Sequence, residues 1–416
     1  MPDPVRGSDP AGPARGAPEA GRASGTIVSA GRVLTPARSF TPGWLHIIGE
    51  EIVEVAAGIP PRSADVALPD LTLVPGFVDA HVHGGGGASF MDGTAEAVRT
   101  VTEAHLVHGT TSMTASLVTD TPDRLASLVR MLADHVEEGA LVGTHLEGPW
   151  LSPAHRGAHD PALLSDPTPE RVEALIEAGR GTVRMATLAP ELPSGPSAVR
   201  RLTQAGILAA VGHTDATYAE ARAALDAGAI VGTHLFNAMR GVHHREPGPV
   251  IALLEDPDAY VELIADGIHL HPAVLAHAAR AKPHMVVLVT DAMAAAAAPD
   301  GTYMLGPMEV RVEDRVARLT STGAIAGSTL TLARAVRYAV QVAGLPLEDV
   351  VRAATQTPAT MLGLGRVGQL RPGHRADVVA LDAGLEVRHV IRAGRWVDRS
   401  AADPSWRPDR HTSSLP

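Results

Sequence analysis

From residue 71 onward the chain alternates short apolar runs with longer segments whose apolar residues recur three and four apart. The runs lie at 71–80, 111–117, 141–146, 183–188, 207–212, 230–235, 260–265 and 286–291. Short, nearly continuous apolar runs are the pattern of strands buried on both faces of a parallel sheet. The intervening segments, such as TAEAVRTVTEAHLVHG and PDRLASLVRMLADHVEEG, carry the helical period instead. After the eighth run, Ser328 is placed to cap a helix over TLTLARAVRYAVQVAG. Eight strand–helix units predict an α/β fold of the TIM (β/α)8 barrel type, spanning residues 74–363. The rival, an open doubly wound sheet, calls for a Gly-x-Gly-x-x-Gly turn after its first strand. This chain has only the unspecific run Gly84 to Gly87 there.

Shorter alternating runs occupy both ends of the described pattern. GTIVSAGRVLT and GWLHIIGEEIVEVAAG, the latter turning at Gly49 and Glu50, precede the barrel, and residues 367–398 follow it. They predict one small β-sandwich domain built from residues 25–73 together with 364–398. Residues 1–24 are rich in Pro, Gly, Ala and Arg, residues 399–416 look similarly loose, and both read as flexible tails. The first lacks the apolar centre of a signal peptide, and no run reaches the roughly 20 apolar residues that span a bilayer. A cytoplasmic protein with no membrane partner is expected.

Composition narrows the chemistry. A formal charge of −11 and an aromatic content of 3% argue against nucleic acid as a partner. The absence of cysteine excludes disulfides and thiolate metal sites and leaves His, Asp and Glu as ligands. These residues collect where the apolar runs end: His81 and His83, Glu147, His213, His234 and Asp291. In a barrel the C-terminal ends of the strands form one face, so these residues converge. His81 and His83, two apart on a strand, share a face. Four imidazoles and two carboxylates suit one or two divalent ions of the Zn, Fe, Mn or Co type, with Glu147 placed to bridge them. His269 is expected to face the substrate, whereas His271, directly before Pro272, starts a helix and is structural.

Beyond these, the segments PGFVDAHVHG, HLEGPWLSPAHRGAH (145–159), TLAPE (187–191), VGHTDAT (211–217), HLFNAM (234–239), HHREPG (243–248), DGIHLHP (266–272), VTDAM (289–293) and GSTLTL (327–332) form a combined signature. From about residue 25 to 398 the chain resembles the N-acetylglucosamine-6-phosphate deacetylases of the amidohydrolase superfamily. The resemblance implies a barrel with a flanking β-sandwich and hydrolysis of the acetamide of N-acetyl-D-glucosamine 6-phosphate to glucosamine 6-phosphate and acetate. It also implies Glu147, His213 and His234 as metal ligands, with His81 and His83 admitting a second ion. By the same resemblance Asp291 is the catalytic aspartate and His159 holds or polarises the substrate carbonyl. Arg245 and His269 would contact the 6-phosphate, with polar or backbone contacts from Asn237 and Ala238. A homodimer, in which the arginine reaches into a neighbour's site, is implied as well. Many superfamily relatives bridge their metals with a carboxylated lysine on the fourth strand. TVRMATLAP has none here, which fits Glu147 in that role. Two rival readings, a cyclic amidase or deaminase and a non-catalytic protein on the same fold, do not require HHREPG or the full ligand set.

Overall fold

The computed structural model describes residues 25–400, so the expected tails lie outside the described residues except for Arg399 and Ser400. Arg399 is buried and donates to the carbonyls of Val107 and Arg388. Eight parallel strands lie side by side in chain order: Phe77–Asp79, Thr110–Leu117, Gly143–Glu147, Val183–Leu188, Leu208–Val211, Val231–Gly232, Tyr260–Ile264 and Val286–Val289. All eight residues of Thr110–Leu117 are buried, as expected of a strand covered on both faces, and its small Thr and Ser side chains are buried along with Met113, Ala115 and Leu117. Helices cover the outside. Ala95–Leu106, for example, begins where Thr94 accepts from the Ala97 amide, and it turns Val98 and Val101 inward.

The barrel closes between its first and eighth strands through a parallel bridge from Val82 to Ala292. Asp291 N donates to His81 O at 2.9 Å and His83 N to Ala292 O at 2.8 Å. The closing seam therefore runs through the candidate site residues of both strands.

Three elements differ from the sequence reading. The run 71–80 is two strands: Val66–Pro75 belongs to the small sheet and Phe77–Asp79 to the barrel. Gly76 is the crossing point, its amide donating to Asp377 O and the next amide to Gly109 O. A Cβ at Gly76 would lie 2.2 Å from Thr111 Oγ1, so only glycine fits between the two sheets. The sixth strand is two residues long, because the chain leaves the ladder for a turn with His234 at φ 28°. The helix after the eighth strand is Leu332–Gln341, preceded by Thr331 rather than by Ser328. Ser328 Oγ instead donates to Thr290 O at 2.6 Å and accepts from Leu330 N. A three-stranded antiparallel insert, Gly301–Leu305, Met308–Glu313 and Val316–Leu319, lies between the eighth strand and that helix.

The terminal segments join in one eight-stranded sheet, with Val66–Pro75 paired antiparallel to Val378–Leu381. The turn at Gly49 and Glu50 joins Gly43–Ile48 to Glu51–Ala57, as the sequence predicts. Ile52 N donates to His374 O at 2.9 Å and Glu51 bridges to Arg375, so the sheet folds back on itself around its own core of residues such as Leu45, Ile52, Leu73 and Val378. Among the described residues no helix is long and apolar enough to cross a membrane.

Candidate metal centre and active-site cavity

The strand ends bring two groups of ligand atoms together: His81, His83, Glu147 and Asp291 in one, Glu147, His213 and His234 in the other. Within each group the ligand atoms lie within 4.8 Å of one another, and Glu147 belongs to both. Its Oε1 is 2.9 Å from His234 Nε2 and 3.1 Å from His213 Nε2, while its Oε2 is 3.0 Å from His83 Nε2. Asp291 Oδ1 lies 3.2 Å from His83 Nε2 and 3.5 Å from His81 Nε2. The strand-one pair thus shares its group with the expected catalytic aspartate.

The outer nitrogens explain why the inner ones face the centre. His81 Nδ1 is 3.1 Å from Glu262 Oε2, His83 Nδ1 is 3.1 Å from Ser116 O, and His213 Nδ1 is 2.9 Å from His155 O. Each partner only accepts, so each Nδ1 carries the proton and each Nε2 presents a lone pair. Yet His81 Nε2 and His83 Nε2 are 3.0 Å apart, and His213 Nε2 and His234 Nε2 are 3.1 Å apart. Lone pairs facing at this separation repel unless a cation or a proton lies between them. His234 Nδ1 has no partner among the described residues.

The charges agree. Burial opposes ionisation of Glu147, but the His81 charge and the bonds from His159, His213 and His234 hold it well below the usual carboxylate range. Asp291 is likewise held low against burial by His81 and His83. Burial takes His213 down to about 4. At His81 burial also pulls downward, but the Glu147 and Asp291 charges outweigh it and raise the imidazole well above its ordinary value. Two buried carboxylates therefore demand positive charge, which protons on imidazoles or divalent cations supply. A nitrogen and oxygen donor set of this kind, buried and preorganised, fits such cations.

Strain marks the same residues. His213, His234 and Asp291 have φ of 48°, 28° and 48°, in the left-handed region that side chains with a Cβ rarely adopt. Gly157 approaches His213 closely, and a Cβ there would meet its ring at 3.1 Å.

A cavity of about 320 Å³ opens over the centre. His83, Glu147, His213, His234 and Asp291 line it, and so do the expected substrate residues His159, Asn237, Ala238 and His269. His81 lies beneath, fully buried. His159 is buried too, and its Nδ1 accepts from the Thr119 amide, so the proton sits on Nε2, 3.6 Å from Glu147 Oε2. His269 Nδ1 donates to Asp266 Oδ2 at 2.7 Å. His271 precedes the helix Pro272–Ala281 and accepts from Ala273 N, the structural part expected of it. Arg245 is not in this cavity. It is exposed, and its guanidinium meets His244 at 2.7 Å rather than Glu246, which accepts from Tyr218 N.

Four further groups position the site and escaped the sequence reading. Glu262 and Thr119 hold His81 and His159 as described above. Asp79 accepts from Thr290 Oγ1 at 2.7 Å and from the amides of Thr290 and His81, fastening the seam. Burial pushes its carboxyl up to about 7, against the pull of the Thr290 bonds. His145, which packs edge-on to His81 at 4.5 Å between centroids, bridges Ser116 and Thr187. A charged residue inside a short apolar run, as in YVELI, was the available signal for Glu262.

Comparison with known proteins places this geometry. The model of the amidohydrolase family matches residues 72–397. The N-acetylgalactosamine-6-phosphate deacetylase of Escherichia coli O157:H7 is 38% identical over 376 residues, 89% of this chain and 98% of the relative. The N-acetylglucosamine-6-phosphate deacetylase of Vibrio furnissii is 36% identical over 82% of this chain and 87% of its own length. Among solved structures, a mutant N-acetyl-D-glucosamine-6-phosphate deacetylase from Mycobacterium smegmatis in complex with N-acetyl-D-glucosamine-6-phosphate is similar with a TM-score of 0.88 and 48% identity, covering 90% of this chain and 99% of that one. With a family match that takes in every strand of the barrel and every ligand of the centre, the chain belongs to the amidohydrolase family.

Proposed function

We propose that this chain is a metal-dependent deacetylase that hydrolyses the acetamide of N-acetyl-D-glucosamine 6-phosphate to D-glucosamine 6-phosphate and acetate. The observation that carries the reading is the convergence of four imidazoles on Glu147 beside Asp291 and His159, in one cavity. Glu147, His213 and His234 would hold one ion, and His81 and His83, with Glu147 shared, a second. When bound, a divalent cation supplies a water whose pKa is near about 7 instead of about 15.7, and a Lewis acid for a carbonyl oxygen. The chain's own groups do the rest. Asp291 takes a proton from the attacking water and returns it to the departing nitrogen as the carbon–nitrogen bond breaks. His159, with its proton on Nε2, donates to the acetyl oxygen as negative charge develops there. His269, oriented by Asp266, and Asn237 face the sugar phosphate. Release of acetate from this substrate, abolished by a chelator and restored by added divalent ion, tests the reading, and chelator-insensitive release would remove the metal from it.

The strand-one pair sets the number of ions. Exchanging His81→Gln together with His83→Asn is expected to lower metal content from about two to about one per subunit, the step that separates a bridged pair from a single ion. Elemental analysis of the folded variant checks this, and an unchanged content would remove the pair from the ligand set.

The phosphate points to a second copy. No Lys or Arg is among the described residues lining the cavity, although a phosphate is best met by a guanidinium. Exposed Arg245 then serves the site of a neighbouring subunit in a homodimer. Arg245→Ala is expected to raise KM by about 10- to 100-fold, from the roughly 1.5–3 kcal/mol of a charged hydrogen bond. An unchanged KM would take Arg245 out of the phosphate site.

A second reading concerns the sugar. The E. coli O157:H7 relative is a deacetylase of the galactosamine epimer and is matched over 98% of its length. Comparing kcat/KM for the two N-acetylhexosamine 6-phosphates decides between them, and a higher value for the galacto epimer would reverse the assignment.

A further inference from the structure

We propose that Glu262 is a positioning residue that holds one ligand of each ion and so couples the two halves of the metal centre. The inference rests on the two-ion reading above and goes beyond its ligands.

Glu262 sits in the middle of the seventh barrel strand, Tyr260–Ile264, and is fully buried. Burying a carboxylate is costly unless it is hydrogen-bonded, and since Oε1 has no partner among the described residues, Oε2 makes the contacts. Its Oε2 accepts from two donors. One is His81 Nδ1 at 3.1 Å, and the other is the main-chain amide of His234 at 3.2 Å. His81 belongs to the group with His83 and Asp291, and His234 to the group with His213. One oxygen atom therefore ties together a ligand from each group.

The two contacts do different things. At His81 the carboxylate fixes the proton on Nδ1, which directs the Nε2 lone pair to the centre and makes it a stronger donor. At His234 it holds the backbone. The sixth strand ends at Gly232, and the turn that follows has positive φ at His234, Phe236 and Ala238. Such a turn keeps its shape only if its surroundings impose it. Glu262 does so twice, since its main-chain oxygen also accepts from Leu235 N at 2.8 Å. His234 Nδ1 has no partner among the described residues, so apart from the contacts of Nε2 with Glu147 and His213 no hydrogen bond among those residues directs the ring. The ring is aimed through its backbone.

The test uses full-length protein stripped with a chelator and titrated with Zn²⁺, comparing wild type, Glu262→Gln and Glu262→Ala. The readouts are the number of ions bound, their affinity by chelator competition, and the unfolding midpoint of the metal-free protein. Outer partners of metal ligands are worth about 10- to 100-fold in affinity. Glu262→Gln, which keeps an acceptor and the volume, is expected to weaken Zn²⁺ by about 10-fold, and Glu262→Ala to weaken both ions by about 100-fold. Should the alanine variant fail to fold, the glutamine variant decides alone. Wild-type affinity in the variants, with only the metal-free unfolding midpoint lowered, would make Glu262 merely structural and overturn the proposal. A wild-type chain that binds no Zn²⁺ would overturn this proposal and the two-ion reading together, which separates the two failures.

Discussion

Asp291→Asn is expected to lower kcat for acetate release by about 10²- to 10⁴-fold, the range that a positioned proton-transfer group contributes, while leaving metal in the protein. The substitution is a clean one on structural grounds. Asp291 has φ of 48°, and asparagine is among the few residues that tolerate this region. Its backbone is held from both sides, its amide donating to His81 O at 2.9 Å and its carbonyl accepting from Ser328 N at 2.7 Å. The amide of asparagine fills the same space but neither takes up nor returns a proton. Glu147, His213 and His234 do not depend on Asp291 for their contacts, so the ion they would hold stays. Measuring kcat and metal content on one sample of the variant checks both halves. A rate within a few-fold of wild type would remove Asp291 from the proton transfers.

How far the sequence revealed this site depends on whether a residue's role is local. His81, Glu147, His213, His234 and Asp291 were legible because each ends an apolar run, and a barrel collects such ends on one face. His159 was legible only through its motif, since nothing near it in the chain signals that Thr119 will fix its proton. Glu262 and Asp79 act on partners at the ends of neighbouring strands, His234 and Thr290, that lie 28 and 211 residues away in the chain. Periodicity within one strand carries no trace of such pairings. The break at Gly76 was hidden because the buried end of one strand meets a second buried strand and the two read as one apolar run. The short sixth strand was hidden because the strained turn after it is imposed by its neighbours rather than by its own residues. The insert at 301–319 does alternate, with Val310 and Val312 buried between exposed residues, but the sequence reading went from the eighth run to the helix after Ser328 and assigned nothing to it.

Glu147→Gln should fail in the opposite way, by losing the metal itself. Glu147 is the one residue common to both ligand groups, and each of its oxygens faces imidazole nitrogens. Glutamine keeps the volume but offers a single neutral oxygen, and its NH2 group donates where a lone pair is required. The two imidazole pairs, with Nε2 atoms 3.0 and 3.1 Å apart, then lose the negative charge that draws positive charge between them. Losing a ligand should cost more than the about 10- to 100-fold in affinity that an outer partner costs. The expected outcome is fewer than about one ion per subunit, against about two for a bridged pair, together with acetate release at background. Circular dichroism of the same sample distinguishes this from unfolding. The comparison with Asp291→Asn is what gives the result its force, because one variant should keep metal without turnover and the other should lose turnover through metal. If Glu147→Gln retained two tightly bound ions, Glu147 would not be the bridge, and the shared-carboxylate description of the centre would have to be abandoned.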